Sequence, residues 1–314
     1  MSTMEALYLT FIGLAGLAMG SLALLMIGHI MSEHWLAPVR SEAEAAALTL
    51  PLLLVLGLVL AFGLGQIFPW VADRAGLPPT RAMFLSPGFF LMRSIAYLLV
   101  AAGIALWLIR TPHVRRTSSI GLALMTPVMT FAAYDWVLSR EPQWWSSLFG
   151  LAFVQSQILA ALSGAILITV LGRENASLKR MKSLERALLT LLLLTLWTWF
   201  AQFVIVWLAD LPHEVAWYLR RSDPWSLTLV VAAYALMAAA IIVLVPSGVS
   251  RIAMIIGSAF ALMHHATHTV WILQPKGEVS WLDLGLIVGV VALWGIVFTA
   301  ILRSRPTYAD KAFE

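Results

Sequence analysis

Residues 7–31 read LYLTFIGLAGLAMGSLALLMIGHIM, twenty-five positions without an Asp, Glu, Lys or Arg. At about 1.5 Å per residue, such a run crosses the roughly 30 Å hydrocarbon core of a bilayer as one α-helix. Its apolar positions are continuous rather than alternating, which reads as helix and not as barrel strand. No positive segment precedes it and no A-x-A site follows, so it is expected to remain as a span rather than to be removed as a signal peptide.

The same texture continues outward. The chain has 314 residues, 61% hydrophobic and 11% charged, with mean hydropathy +0.89. A soluble domain carries about 25% charged residues, so this chain has too much apolar surface for water. Apolar runs of about 20 residues predict an all-α, polytopic integral membrane protein, a single membrane domain over 1–314. Its spans fall near 7–31, 45–70, 87–110, 118–138, 144–171, 184–209, 225–245, 251–273 and 281–302. Ser41 with Glu44 is expected to form a capping box before the second span, and Pro87 to open the third from its first turn.

The chain has no cysteine, which excludes disulfides, thiolate metal sites, iron–sulfur clusters and covalent haem attachment. Net charge +4 and pI near 9.6 would suggest nucleic acid in a soluble protein; here the cations flank spans, and no nucleic-acid partner is expected. Counted in alternate connections, Lys and Arg number twelve on one side (Arg40, Arg110, Arg115, Arg116, Arg173, Lys179, Arg180, Lys182, Arg251, Arg303, Arg305, Lys311). The other side has six (Arg74, Arg81, Arg140, Arg220, Arg221, Lys276). The positive-inside rule then puts the N-terminus outside and the C-terminus in the cytoplasm. Nine tryptophans near outer helix ends (70, 136, 144, 145, 207, 217, 225, 271 and 281) read as an interfacial belt, and as a surface that can dock a periplasmic partner.

Ionisable groups inside spans are costly and mark function by default. Arg93 and Asp135 lie at matching depth on consecutive antiparallel spans, which predicts an ion pair that sets helix register or handles a proton. His264 and His268 share one helical face while His265 points about 100° away. A metal would need a third ligand from elsewhere, and His29 lies too far toward the other side to share a haem with them, so neither metal nor haem is expected. The imidazoles read as hydrogen-bonded groups or proton carriers in a hydrated cavity. With Gln202, and with Gln155 and Gln157 in the fifth span, these residues gather in the outer half of the bilayer. The predicted polar cluster is Arg93, Asp135, Gln202, His264, His265 and His268, an outward-facing half-channel.

Two connections are more specific. Tyr134-Asp135-Trp136-Val137-Leu138-Ser139-Arg140-Glu141-Pro142-Gln143-Trp144-Trp145-Ser146-Ser147-Leu148-Phe149-Gly150 resembles D-W-x-M-S-L-x-P-x-W-F-S-T-I-x-G. That signature belongs to the smaller NrfD-like membrane subunit of bacterial alternative complex III, the quinol:cytochrome c oxidoreductase quinone-binding subunit 2 family. Phe200-Ala201-Gln202-Phe203, Val206-Trp207-Leu208-Ala209-Asp210-Leu211-Pro212-His213-Glu214 and Trp217-Tyr218 resemble the family's F-S-Q-x-x-x-x-W-Y-A-N-x-P-E-E-x-x-W-Y. Pro38 to Ala47, Phe89-Phe90, Arg93 and Tyr97 add matches in the family's order.

The resemblance implies two four-helix bundles plus one extra helix, in a non-catalytic subunit of a complex that oxidises menaquinol or ubiquinol. It implies as partners a larger NrfD-like paralogue, which oxidises the quinol, and periplasmic iron–sulfur and c-type cytochrome subunits. This chain itself would bind no cofactor, with quinone or quinol elsewhere in the complex, and would contribute to proton movement or assembly in the bacterial inner membrane. Arg93, Asp135 and Gln202 carry over as polar-path or structural residues. Glu141, Trp144, Trp145, Asp210, Glu214 and Trp217 are then the expected partner-docking positions. The sequence departs from the family in having about nine spans instead of ten, Asp210 for Asn, and His213-Glu214 for paired acids; the stretch from Glu174 to Glu185 lacks the pattern. The alternative is a stand-alone proton-coupled channel or carrier.

Overall fold

A computed structural model describes residues 2–31, 33–74, 76–77, 79–172, 178–246, 248, 250–274 and 279–306, with backbone alone at 33–34 and 178–180. Of the charges used above for orientation, Arg173, Lys276 and Lys311 lie outside the described residues, as do the side chains of Lys179 and Arg180 and the segment 174–177.

The described residues form fourteen α-helices: α1 (Thr3–Met31), α2 (Glu33–Leu36), α3 (Arg40–Ala47), α4 (Leu50–Ala61), α5 (Leu64–Ile67), α6 (Pro79–Phe84), α7 (Pro87–Arg110), α8 (Val114–Trp136), α9 (Phe149–Gly172), α10 (Leu178–Ala209), α11 (Pro212–Leu219), α12 (Pro224–Leu244), α13 (Arg251–Leu273) and α14 (Trp281–Ser304). Eight helical segments among them are long and apolar enough to cross a membrane, so the chain is a multi-pass helical membrane protein. The segment expected as a ninth span, 251–273, is a helix of 23 residues, α13, but it is not among the eight apolar enough to cross a membrane. Its apolarity is lowered by His264, His265 and His268, which are buried against neighbouring helices.

Helices α1, α4, α7 and α8 pack as one four-helix bundle and α9, α10, α12 and α13 as a second, with α14 laid against α1 and α3. The bundles meet where α1 lies along α9, through Gly16 and Gly20. Their missing side chains let the backbones approach, the small-xxx-small geometry of helix pairs in membranes. Buried along most of its length, α1 is the core of the molecule, whereas α14 is almost wholly exposed on its lipid side. The end of the molecule where α1 begins is called the N-terminal face below.

Two expectations are corrected. The second span is not one helix over 45–70: the chain turns at Leu48 and Thr49 and again at Phe62 and Gly63. Pro51 in the first turn of α4 cannot donate to the turn before it, and its ring disfavours a continuous helix. Nor do Ser41 and Glu44 form a capping box. A turn of 3₁₀-helix over Ala37–Val39 runs directly into α3, so Val39 takes the cap position. The Ser41 hydroxyl instead donates to the Pro306 carbonyl (2.8 Å), and Glu44 pairs with Arg40 (2.9 Å) and Arg305 (3.7 Å). Pro87 does open α7 from its first turn.

Candidate functional site at the N-terminal face

Arg93 sits two turns into α7, and Asp135 in the last turn of the antiparallel α8. The fork of Arg93 donates from Nε and Nη2 to the two Asp135 oxygens, each at 2.8 Å. The Tyr97 hydroxyl, one turn further along α7, donates to the same carboxylate at 2.8 Å. Nη1 of Arg93 reaches the Phe84 carbonyl (2.9 Å), and the guanidinium lies over the Phe84 and Phe89 rings at 3.8 and 4.3 Å. Asp135 is fully buried and accepts three charge-assisted or phenolic hydrogen bonds. These bonds make it a paired, compensated group.

Asp135 borders a cavity of about 420 Å³ walled by Phe131, Tyr134, Trp144 and Trp145. Across it, Arg81 lies 5.0 Å from the centroid of the Trp145 ring and donates to the Pro142 carbonyl. The end of α8 is further fixed by Tyr8 O–H to the Trp136 carbonyl (2.6 Å), Trp136 N–H to Ser94 (3.0 Å) and Trp70 N–H to Ser139 (3.3 Å).

The loop after α8 folds back onto α11. The Trp144 ring stacks on Trp217 with centroids 4.6 Å apart, and its N–H donates to the Glu214 carbonyl (3.1 Å). Glu141 receives both Arg220 and Arg221, and Ser146 donates to the Gln202 side chain. Arg221 also caps the end of α13 by donating to the Ile272 carbonyl (2.8 Å) and lies 3.7 Å from the centroid of the Trp217 ring. Burial pulls its pKa down to about 10 against the opposing pull of Glu141, so it stays cationic at neutral pH. Beside it, Arg140 donates to the Leu273 carbonyl (2.5 Å) and pairs with Glu5 of α1 (3.2 Å). These arginines clasp the two bundles together; in the sequence they read only as loop cations.

The histidines belong to the second bundle. His264 and His268 stack at 5.5 Å between centroids, and His268 continues the stack onto Trp271 at 5.3 Å. His268 also meets the Trp199 and Tyr234 rings edge-on at 4.7 and 5.7 Å. Nδ1 of His264 is 2.8 Å from the Ala233 carbonyl. The Nε2 atoms of His264, His265 and His268 are buried without a hydrogen-bond partner.

The six polar residues expected as one cluster therefore fall into separate sets: Arg93 with Asp135 in the first bundle, and Gln202 and the histidines in the second. No hydrogen bond, ion pair or ring contact among the described residues joins the sets. Docking positions also divide. Trp145 is 54% exposed, and Asp210 is exposed with φ +46°, whereas Trp144 and Trp217 are 1% and 3% exposed and belong to the core. The tryptophan belt is corrected the same way. Trp70, Trp136 and Trp271 are buried as well, and only Trp145, Trp207, Trp225 and Trp281 of the nine present their rings outward. Buried indoles find partners inside the loops, and a sequence does not reveal which way a terminal Trp turns.

No protein-family model matches the chain, and no curated protein matches it.

Proposed function

We propose that this chain is an integral membrane subunit of a quinol-oxidising electron-transfer complex of the alternative complex III type, without a redox centre of its own. The observation that carries the reading is the convergence of its two family-like stretches. Residues 134–150 join the end of α8 in the first bundle to the start of α9 in the second, and residues 200–218 follow only at the end of α10, yet the two stretches lock together through the Trp144–Trp217 stack, the Trp144 bond to Glu214 and the Ser146–Gln202 bond. They build one rigid surface with Trp145 and Asp210 facing out, the form a docking platform takes. Asp135, paired with Arg93 and hydrogen-bonded by Tyr97, supports a non-catalytic role, because three of its four lone pairs are already engaged.

On this reading the N-terminal face is periplasmic in a bacterial inner membrane, and the C-terminus is cytoplasmic. The platform meets iron–sulfur and c-type cytochrome subunits, and a larger NrfD-like paralogue lies alongside in the bilayer. Affinity purification from native membranes, with partner identification and optical spectra, tests it. Haem-bearing partners should copurify, and the isolated chain should show no haem spectrum; a Soret band from the chain alone overturns the reading. A second reading, a stand-alone proton-coupled channel or carrier, is favoured by the three buried imidazole nitrogens without partners. It expects proton or solute flux in proteoliposomes of the lone protein that Asp135→Asn alters.

A further inference from the structure

The second bundle contains a groove, separate from the cavity beside Asp135, with a volume of about 460 Å³. Arg221 and Ser222 border its mouth, in the connection that precedes α12 at the N-terminal face. Phe203 and Val230 line it further in, and its inner end is marked by Leu196, thirteen residues before the end of α10. At about 1.5 Å per residue the groove runs roughly 20 Å down from the face, slightly more than one leaflet's share of a hydrocarbon core about 30 Å thick. Its long axis thus follows the helices, as a lipid chain does. Phe200, Phe203 and Leu227 along it are 59%, 41% and 48% exposed, so the groove opens sideways toward lipid.

The mouth is chemically unlike the rest. Two N–H groups there, Nε of Arg221 and Nε1 of Trp271, are buried without a hydrogen-bond partner on residues that are only 4% and 7% exposed. Such donors cost free energy unless something outside the chain accepts from them. The cations are also unevenly matched: Arg140 has Glu5 to itself, whereas Arg220 and Arg221 share the single carboxylate of Glu141. The neighbouring Asp223 carboxylate is taken up by the N–H groups of Trp225 and Ser226 at the start of α12 (3.1 Å each). Two guanidiniums with a single carboxylate between them therefore stand beside the mouth of the groove. Arg220 is about half exposed and faces it.

We propose that the groove is a binding site for one anionic phospholipid of the adjoining leaflet, with one acyl chain between α10 and α12, the phosphate beside Arg220 and Arg221, and glycerol ester oxygens accepting from Arg221 and Trp271. An acyl chain alone explains the apolar walls but not the buried donors. A soluble anion explains the cation but not a groove that reaches the middle of the bilayer. A phospholipid brings both kinds of group at the right separation along one axis. The proposal is independent of the assignment to a respiratory complex, because it rests on the groove and the groups at its mouth, whatever assembly the chain belongs to.

The test is native mass spectrometry of the purified, delipidated full chain after equilibration with phosphatidylglycerol or phosphatidylcholine of identical chains. One lipid per chain should survive detergent removal. Two arginines sharing one carboxylate near the surface predict up to about a fivefold preference for phosphatidylglycerol. Leu227→Trp, and independently Val230→Trp, should fill the groove and abolish retention while circular dichroism shows the native helix content. Arg220→Gln should keep one bound lipid but bring the preference close to one. Equal retention of the two lipids by the unaltered chain, or undiminished retention in whichever groove-filling variant folds, overturns the proposal.

Discussion

Gly20 of α1 and Gln157 of α9 hold the two bundles at backbone contact: a β-carbon added at Gly20 would stand 2.4 Å from the Gln157 carbonyl oxygen. That oxygen belongs to a helix and cannot rotate aside. Gly20→Ala should therefore destabilise the chain by about 1–3 kcal/mol, the usual cost of overpacking. Gly13→Ala, where the added carbon meets nothing within 4 Å, should be neutral or stabilise by up to about 1 kcal/mol through helix propensity. Thermal unfolding in detergent compares the two; equal losses would mean that the close approach is not what makes Gly20 necessary.

Removing one member of the Arg93–Asp135 pair leaves the other buried and uncompensated. Asp135→Asn should cost roughly 3–5 kcal/mol, since Arg93 is 11% exposed and stays between α7 and α8. Replacing both, Arg93→Met with Asp135→Leu, should recover most of that loss, because both desolvation penalties vanish together. A double-mutant cycle on the unfolding midpoint checks this. A double variant as unstable as Asp135→Asn would show that the pair's value lies in its contacts with Phe84 and Tyr97.

Trp144 and Trp145 are adjacent and should behave oppositely. Trp144→Ala removes a buried indole stacked on Trp217 and should cost about 3–5 kcal/mol of stability. Trp145→Ala should leave the unfolding midpoint nearly unchanged and weaken copurification of partners. Pull-downs set beside melting curves separate the two effects, and a Trp145→Ala chain that keeps every partner counts against the platform.

Asp223 caps α12, and its hydrogen bonds with Ser226 and Trp225 hold its carboxyl below the usual 3.8. A depressed folded-state pKa means that the stabilisation is present above 3.8 and is lost as the pH falls through the lower folded value. The amides of Trp225 and Ser226 should thus lose exchange protection in acid. Asp223→Asn, an equally good cap without a titrating proton, should not show that loss. The same acid dependence in Asp223→Asn would assign it to another group.

The long helices were legible because an apolar run needs no partner: 87–110 and 251–273 match α7 and α13 end to end, though α13 is less apolar than the eight candidate spans. The Arg93–Asp135 pair was legible because consecutive antiparallel helices fix relative depth. The break at Pro51 was not, since an apolar count ignores what a turn does to apolar residues. Nor was the clasp formed by Glu5, Arg140, Glu141 and Arg221, whose members are spread along the chain and meet only once both bundles have formed. The same holds for the tryptophans. Trp144 and Trp145 are identical to a composition argument, and only the fold of the loop buries one and exposes the other.

The glycine contact also sets an order of events. Gly20 precedes Gln157 by more than a hundred residues, and at roughly 5–20 residues per second of synthesis the centre of α1 waits on the order of ten seconds for its match to emerge. Throughout that interval the most deeply packed helix of the finished protein stands in lipid with its notch open. Its assembly is therefore a problem of timing and shielding within the insertion machinery as much as one of final packing.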